Sequence, residues 1–429
     1  MKLYKWQAEC LDHWIHNHCH GIVNVVTGAG KTRLAIACIQ YLSEGSPADR
    51  RCPRLHVRVV VPTIAIASQW QKTLREFFPN GIFGDARIST IGGGRNECSD
   101  ASFVIYVLNS ARLCLSSHIQ NDMRQGHSVF LIADECHRCA SKENRHIFDF
   151  LLSQQYDRKL YFSLGLSATP RCSGYEMILV PSLGKEIYRY DFARAVSDGT
   201  VSSFCIIQIA LPFAQKEAAE YSRLSDQLSY LHVRLMDGYG FLHALSGNYF
   251  FQALRNLAED EGEGSVPYQY LMTALKRAEL VRGVKSRSSA LKLLLTHLPV
   301  EASVIIFCER IQQADEVART LEQCFPGRVG KYHSELPAQL RNNTLELFSC
   351  GEYRFLVTCK ALDEGINVPD ASIGIVLSGT SVMRQRIQRL GRILRLAPGK
   401  RCAVLYYLYV RDSSEESAYL YDENGNIPV

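Results

Sequence analysis

The sequence predicts an α/β protein made of two doubly wound parallel-sheet domains with a helical insertion between them. Three observations carry that expectation. Over residues 1–213, and again from residue 298, near-continuous apolar runs alternate with helical patterns, as parallel strands covered on both faces require. Residues 214–297 show helical spacing alone. The length of 429 residues suits about two or three cores.

In the first region the runs at 21–26, 55–61, 102–108, 128–133 and 160–166 are rich in Val, Ile, Leu, Phe and Tyr and read as strands. Helical stretches at 31–43 and 64–78 separate them, so right-handed crossovers are expected. In the insertion, Tyr221, Leu224, Leu228 and Leu231 share one helix face over 214–257. An acidic, glycine-containing break from Glu259 to Gly264 reads as an exposed loop. Helical patterning resumes over 267–297 and carries Lys276, Arg277, Arg282, Lys285 and Arg287. Strands are then expected near 303–308, 353–358, 371–377 and 402–409, with helices near 311–324, 337–348 and 381–395. The expected division is 1–213, 214–297 and 298–429.

Composition narrows the classes without choosing a function. With 47% hydrophobic and 21% charged residues, the chain is neither disordered nor fibrous. The net charge of +5 is too mild to announce a nucleic-acid partner. No apolar run approaches the roughly 20 residues of a membrane span, and MKLYKWQAEC is no signal peptide. The expected location is the cytoplasm, with no membrane partner. The 15 cysteines are then expected as reduced thiols. Two clusters imitate metal sites: Cys10, His13, His16, His18, Cys19 and His20, and Cys136, His137 and Cys139. A structural zinc draws on two ligand pairs, and the chain has a single Cys-x-x-Cys. No structural metal is expected.

Local chemistry is more informative. Strand 21–26 runs into Thr27-Gly28-Ala29-Gly30-Lys31-Thr32 and then a helix. Glycines let successive N–H groups converge on phosphate oxygens at a helix N-terminus. Lys31 would reach the terminal phosphates, and Thr32 would ligate Mg²⁺. The position where the general phosphate-loop formula has its first glycine is Val25, so the match is to a shorter TGxGKT form. Strand 128–133 ends in Asp134-Glu135-Cys136-His137, at the carboxyl edge where open α/β sheets hold ligands. Asp134 suits Mg²⁺, a hard cation, and Glu135 could deprotonate an attacking water. Residues 384–401 hold six arginines and a lysine with no acid among them. Alone this run reads as a solvated or nucleic-acid-binding helix; with a phosphate loop in the same chain it could supply guanidinium to a γ-phosphate.

Together these blocks resemble the superfamily 2 helicases and translocases, whose motifs appear here in the family's order. Leu3-Tyr4-Lys5-Trp6-Gln7 is similar to the opening segment, whose glutamine, here Gln7, reads adenine in many members. TGAGKT at 27–32 resembles motif I, Pro62-Thr63 with Gln69-Trp70 motif Ia, DECH at 134–137 motif II, and Ser167-Ala168-Thr169-Pro170 motif III. Ile305-Ile306-Phe307-Cys308 resembles motif IV, TCKALDEGINVPD at 358–370 motif V, and QRLGRILR at 388–395 motif VI. The wording of the last two, and of EIYRYDFARAVSDGTVSSF at 186–204, looks closest to the XPB-like branch and the restriction-type motors.

The resemblance implies RecA-like folds for both α/β domains and a thumb-like insertion. It implies ATP and Mg²⁺ as cofactors, with Lys31, Asp134, Glu135, Arg392 and Arg395 catalytic. ATP would also meet Gln7, Thr27, Gly28, Gly30, Thr32, Gly365 and Gln388, and Mg²⁺ would meet Thr32 and Asp134. His137, Ser167 and Thr169 would couple nucleotide state to nucleic-acid grip, with Thr63, Thr358 and Lys360 as backbone contacts. DNA, duplex or forked, is the expected partner, in repair or in defence against foreign DNA. RNA helicase activity and a nucleotide-gated scaffold are the alternatives. The first motif begins at residue 3, leaving no room before it for the damage-recognition region of XPB. No nuclease signature is evident, so a restriction role would need separate nuclease or specificity subunits.

Overall fold

The computed structural model describes residues 2–43, 54–82, 85–96, 99–154, 156–200, 204–245, 247–359, 371–377 and 403–416. Among them the named strands form two sheets. The first has eight strands: β1 (Ile22–Val25), β2 (Leu55–Val61), β3 (Ile88–Gly92), β4 (Arg95–Asn96), β5 (Phe103–Val107), β6 (Ser128–Asp134), β7 (Tyr161–Ser167) and β8 (Glu186–Tyr190). Their order is β4-β3-β5-β2-β6-β7-β1-β8. Only the β3–β4 pairing is antiparallel. Every residue of β2 and β5 is buried, so β5 is a continuous apolar run, while β2 is apolar except for His56 and Arg58.

Helices α1 (Lys5–His16), α2 (Lys31–Ser43), α3 (Ile64–Phe77) and α4 (Leu108–Arg124) cover the faces, with the short α5 (Val180–Leu183) and α6 (Phe192–Ser197) near β8. Helix α3 begins where the Thr63 side chain accepts the Ile66 N–H, and it buries Ile66, Ala67, Trp70 and Leu74, a stripe at helical spacing. Because the sheet is parallel, the last residues of β1, β2, β6 and β7 lie along one edge, and the loops that follow them converge there.

The insertion contains α7 (Gln215–Gly238), α8 (Gly247–Glu261) and α9 (Val266–Arg282). Leu224, Leu228, Leu231 and Leu235 form the buried stripe of α7. Leu235, Leu242, Phe250 and Leu254 make a small core of their own. Of the acidic break expected as a loop, Glu259, Asp260 and Glu261 instead end α8, and the turn to α9 follows with Gly262 and Gly264 at φ 80° and 96°.

The second sheet contains β9 (Phe204–Leu211), β10 (Val304–Cys308), β11 (Val329–Tyr332), β12 (Phe355–Cys359), β13 (Ile373–Val376) and β14 (Ala403–Val410). It runs β11-β12-β10-β13-β14-β9 and its pairings are parallel. Helices α10 (Lys285–His297), α11 (Ile311–Cys324) and α12 (Ala338–Ser349) pack on it.

Two segments sit differently from the sequence expectation. Strand β9 precedes residue 213, yet pairs with β14 from Phe204↔Ala403 to Leu211↔Val410 and so belongs to the second sheet. An apolar strand needs a ladder of backbone partners, and β14 supplies one over its whole length. Helix α10 was expected in the insertion, but Leu291 and Leu295 bury in the core of the second sheet with Val304, Ile306 and Leu321. Strands β3, β4, β8, β9 and β11 were absent from the expected set. The expected helix at 381–395 lies outside the described residues.

Candidate ATP site at the carboxyl edge of the first sheet

The loop after β1 curls through Gly28 and Gly30, whose φ values of 89° and 97° are open to glycine. A Cβ at Gly30 would stand 2.8 Å from Gln7 Nε2. That amide is fully buried: its Nε2 donates to the Gly30 carbonyl (2.9 Å), and its Oε1 accepts the Tyr4 N–H (2.9 Å). The resemblance implies adenine recognition by Gln7; here both ends of its side chain hold the loop and the start of α1. Lys31 opens α2, and its Nζ lies 3.0 Å from Glu135 Oε1. The Thr27 hydroxyl is buried with no hydrogen-bond partner among the described residues, an orphan that a phosphate oxygen would satisfy.

The acidic pair terminates β6. Glu135 has φ 50° and ψ 50°, a left-handed conformation that costs a non-glycine residue about 1 kcal/mol or more. This kink ends the strand and turns the chain into a 3₁₀ turn over Cys136–Ala140. Asp134 Oδ1 accepts the Glu135 N–H (3.0 Å), and Oδ2 accepts the indole N–H of Trp70 (2.9 Å). Removal from water, and then the charge of Glu135, push the Asp134 carboxyl above the usual range; Lys31 and the two N–H donors oppose them. Such a carboxylate gains most from a cation at its open side.

Behind the pair, His137 Nδ1 lies 2.9 Å from Ser167 Oγ at the end of β7 and 3.6 Å from Glu135 Oε2. Ser167 Oγ also accepts the Thr169 N–H (3.0 Å). The four segments thus meet through side chains, although more than a hundred residues of sequence separate the first from the last. Thr32 lies in the first turn of α2, and Thr63 caps α3 at the end of β2. Trp70 is the residue of this site to which the sequence reading gave no role. Its signal was the Gln69-Trp70 pair, one helical face away from Thr63.

Thr358, which the sequence reading made a nucleic-acid contact, is 1% exposed within β12, and its hydroxyl has no hydrogen-bond partner among the described residues. Lys360, Gly365, Gln388, Arg392 and Arg395 lie outside the described residues. The basic stretch of the insertion is largely committed internally. Arg282 pairs with Glu309 (2.8 Å), Arg287 with Glu415 (2.8 Å), and Arg277 donates to Ser225 (3.3 Å). Of its aromatics, Phe250 is in the core, Tyr239 donates to Glu261, and Tyr230 and Tyr249 are exposed.

Could another group hold a metal? His56, Asp122 and His127 bring three ligand atoms within 4.8 Å of one another. However, Arg58 donates to both Asp122 oxygens (2.8 Å each), so a cation of the chain already occupies that carboxylate. The thiols of Cys136 and Cys139 are buried, and burial pushes that of Cys139 up to about 12, which disfavours the thiolate a metal needs.

Comparison with known proteins agrees with this arrangement. The family described as "Type III restriction enzyme, res subunit" matches residues 1–172, and "Helicase conserved C-terminal domain" matches residues 286–397. DNA 3'-5' translocase XPB2 of Sulfurisphaera tokodaii is 27% identical over 402 residues, covering 92% of this chain and 79% of that protein. Both matched models are helicase-type, and across most of its length the chain is similar to XPB-like superfamily 2 helicases and translocases. DNA 3'-5' helicase XPB of Kineococcus radiotolerans is 24% identical across 96% of this chain and 61% of its own length. In fold, the chain is similar to the Pyrococcus furiosus Hef helicase domain, with a TM-score of 0.63 and 14% identity over 97% of both chains. MrfA bound to DNA gives a TM-score of 0.64 at 13% identity, over 97% of this chain and 50% of that one. The two helicase-type models and the relatives that span most of the chain support an ATP-hydrolysing motor of the helicase type. No described helix is long and apolar enough to cross a membrane.

Proposed function

We propose that this chain hydrolyses ATP to move along DNA, and that the carboxyl edge of the first sheet carries the chemistry. The observation that supports it most is the Lys31–Glu135 contact of 3.0 Å beside Asp134. It joins a phosphate-binding lysine and a candidate base that are distant in sequence. On this reading the triphosphate of ATP displaces Glu135 from Lys31. The loop N–H groups and the Thr27 hydroxyl take phosphate oxygens, and Lys31 neutralises the terminal ones. Glu135, released, accepts a proton from the attacking water. Thr32 and Asp134 offer hard oxygens that fit Mg²⁺, which when bound to ATP would supply charge neutralisation.

We further assign Arg392 and Arg395 to γ-phosphate stabilisation from the second sheet's domain, with Gln388 and Gly365 beside the nucleotide and Lys360 and Thr63 on the nucleic-acid backbone. His137, Ser167 and Thr169 would relay nucleotide state from the acidic pair. The domain division we propose is 1–203 for the first motor unit, 212–284 for the helical insertion, and 285–429 with β9 for the second.

DNA is preferred to RNA because the relatives that match across most of the chain are named for DNA. ATP-dependent RNA helicase DBP8 of Gibberella zeae matches 24% of it. Repair or defence against foreign DNA is the role we favour, with partner subunits in the second case. The test is steady-state ATPase with no nucleic acid, single-stranded DNA, duplex DNA, forked DNA or RNA. A several-fold stimulation by a DNA form is expected. Equal rates under all five conditions would remove the motor and leave the nucleotide-gated scaffold; stimulation by RNA alone would transfer the reading to RNA.

A further inference from the structure

Trp70 is 1% exposed and lies on the buried face of α3, packed with Ile66, Ala67 and Leu74. Its indole Nε1–H donates to Asp134 Oδ2 at 2.9 Å. The chain has three tryptophans, and the other two do nothing comparable. Trp14 donates to the Ser163 carbonyl, and Trp6 Nε1 is buried with no hydrogen-bond partner among the described residues. A core that needs only volume at position 70 would be served by Phe or Leu. The indole instead adds one directed donor, aimed at the carboxylate of the acidic pair.

Geometry shows what this does. The Glu135 N–H holds Asp134 Oδ1 at 3.0 Å, and Trp70 holds Oδ2 at 2.9 Å. With one donor on each oxygen, the carboxylate plane cannot rotate about its Cβ–Cγ bond without breaking a bond. Each oxygen retains lone pairs directed away from these donors. The backbone donor moves with the acidic pair, whereas the indole is fixed to a different element. Tryptophan has only two side-chain torsions, and here both are locked by packing. Outer-shell donors of this kind set ligand orientation, and their loss typically costs about 10–100-fold in metal affinity or activity.

We infer that Trp70 is a positioning residue that orients Asp134 for the Mg²⁺ of the bound nucleotide. This rests on the assignment of Asp134 above. Because α3 starts at Thr63, the same indole also ties the helix that opens at a candidate backbone contact to the nucleotide site.

The experiment uses the full chain and the substitutions Trp70→Phe and Asp134→Asn, with thermal unfolding to check the fold. Affinity for a fluorescent ATP analogue is measured with Mg²⁺ and with EDTA, and Mn²⁺ in the complex is followed by electron paramagnetic resonance. Trp70→Phe keeps the ring packing and removes only the donor. It should keep the EDTA affinity and lose about tenfold or more of the Mg²⁺-dependent gain, with weakened Mn²⁺ binding. Asp134→Asn should lose that gain altogether. A second readout needs no change at position 70. Trp6→Phe and Trp14→Phe identify the remaining indole ¹H–¹⁵N resonance as Trp70, and it should shift when Mg²⁺ is added to the nucleotide complex. If Asp134→Asn loses the Mg²⁺ gain while Trp70→Phe matches the wild type and the resonance stays still, the positioning role is overturned and the Asp134 assignment survives. If Asp134→Asn keeps the Mg²⁺ gain, the site assignment falls and this inference falls with it.

Discussion

The first sheet carries buried charge at both ends of its strands, and the two ends use it in opposite ways. At the amino end, Arg58 is fully buried, donating to both oxygens of Asp122 and to the Ala101 carbonyl (2.8 Å each). Burial alone would raise the Asp122 carboxyl, but Arg58 and then His56 outweigh it and hold it below the usual range. His127, placed by the helix-ending Gly126 at φ 75°, lays its ring 4.1 Å from that of His56. The charges of Arg58 and Asp122 are thus paired within the cluster, while His127 Nδ1 has no hydrogen-bond partner among the described residues. At the carboxyl end, Lys31 and Glu135 share one contact, the Thr27 hydroxyl lacks a partner among the described residues, and Glu135 sits in a strained backbone conformation. Charges paired within the chain hold a fold together; strained and unpartnered groups at a sheet's ligand edge fit a partner from outside.

Substitution should separate the two ends. The largest effect is expected from Lys31→Ala, which should cut ATP turnover by about a hundredfold or more, while Glu135→Gln should keep ATP binding and lose turnover by about 10²–10⁴-fold. Neither should lower the unfolding midpoint appreciably, since the pair is a partly exposed one. Turnover by Glu135→Gln at the wild-type rate would show that the base lies elsewhere. Next comes Asp122→Ala, which strands a buried guanidinium and should cost about 3–5 kcal/mol in denaturant unfolding. If the folded fraction is active, turnover per molecule should be close to wild type. A stability change under 1 kcal/mol would mean water reaches Arg58 and the contrast between the two ends is false.

The smallest effect is a pH dependence, again at the amino end. His20 precedes β1 and lies 2.8 Å from the Ser163 hydroxyl, which itself donates to the Leu183 carbonyl. Burial, with Arg158 and His18 nearby, depresses its imidazole to about 4. Between about pH 6.5 and 4 the unfolded chain therefore binds a proton that the folded chain refuses, so stability falls as pH falls through that window. About 1–2 kcal/mol is expected after allowance for partial exposure. Denaturant melts at pH 7 and pH 4.5 measure it, and His20→Gln should flatten the difference. An unchanged slope in that variant would assign the acid sensitivity to other groups.

Much of this was legible in the residues because it is local. A phosphate loop needs glycines with positive φ immediately before a helix, so TGAGKT betrays it. Parallel strands buried on both faces are largely apolar, so β5 and β10 stand out, and β2 does so despite His56 and Arg58. Strands β8 and β11 did not, since EIYRY and VGKY mix polar residues into short lengths and pair only in context. The arginines at 277, 282 and 287 show only their charge in the sequence, not the partners that meet it. Glu309 and Glu415 are brought to two of them only by packing.

By itself, then, the sequence determined the periodicities, the phosphate loop, the acidic pair and the order of the motifs, all of which depend on neighbours a few residues apart. Tertiary structure alone decided that β9 joins the second sheet, that Thr358 is covered, and that the Trp70 indole meets Asp134. Each of these is a contact between residues distant along the chain. Loop closure and core packing choose such contacts, and no local propensity encodes them.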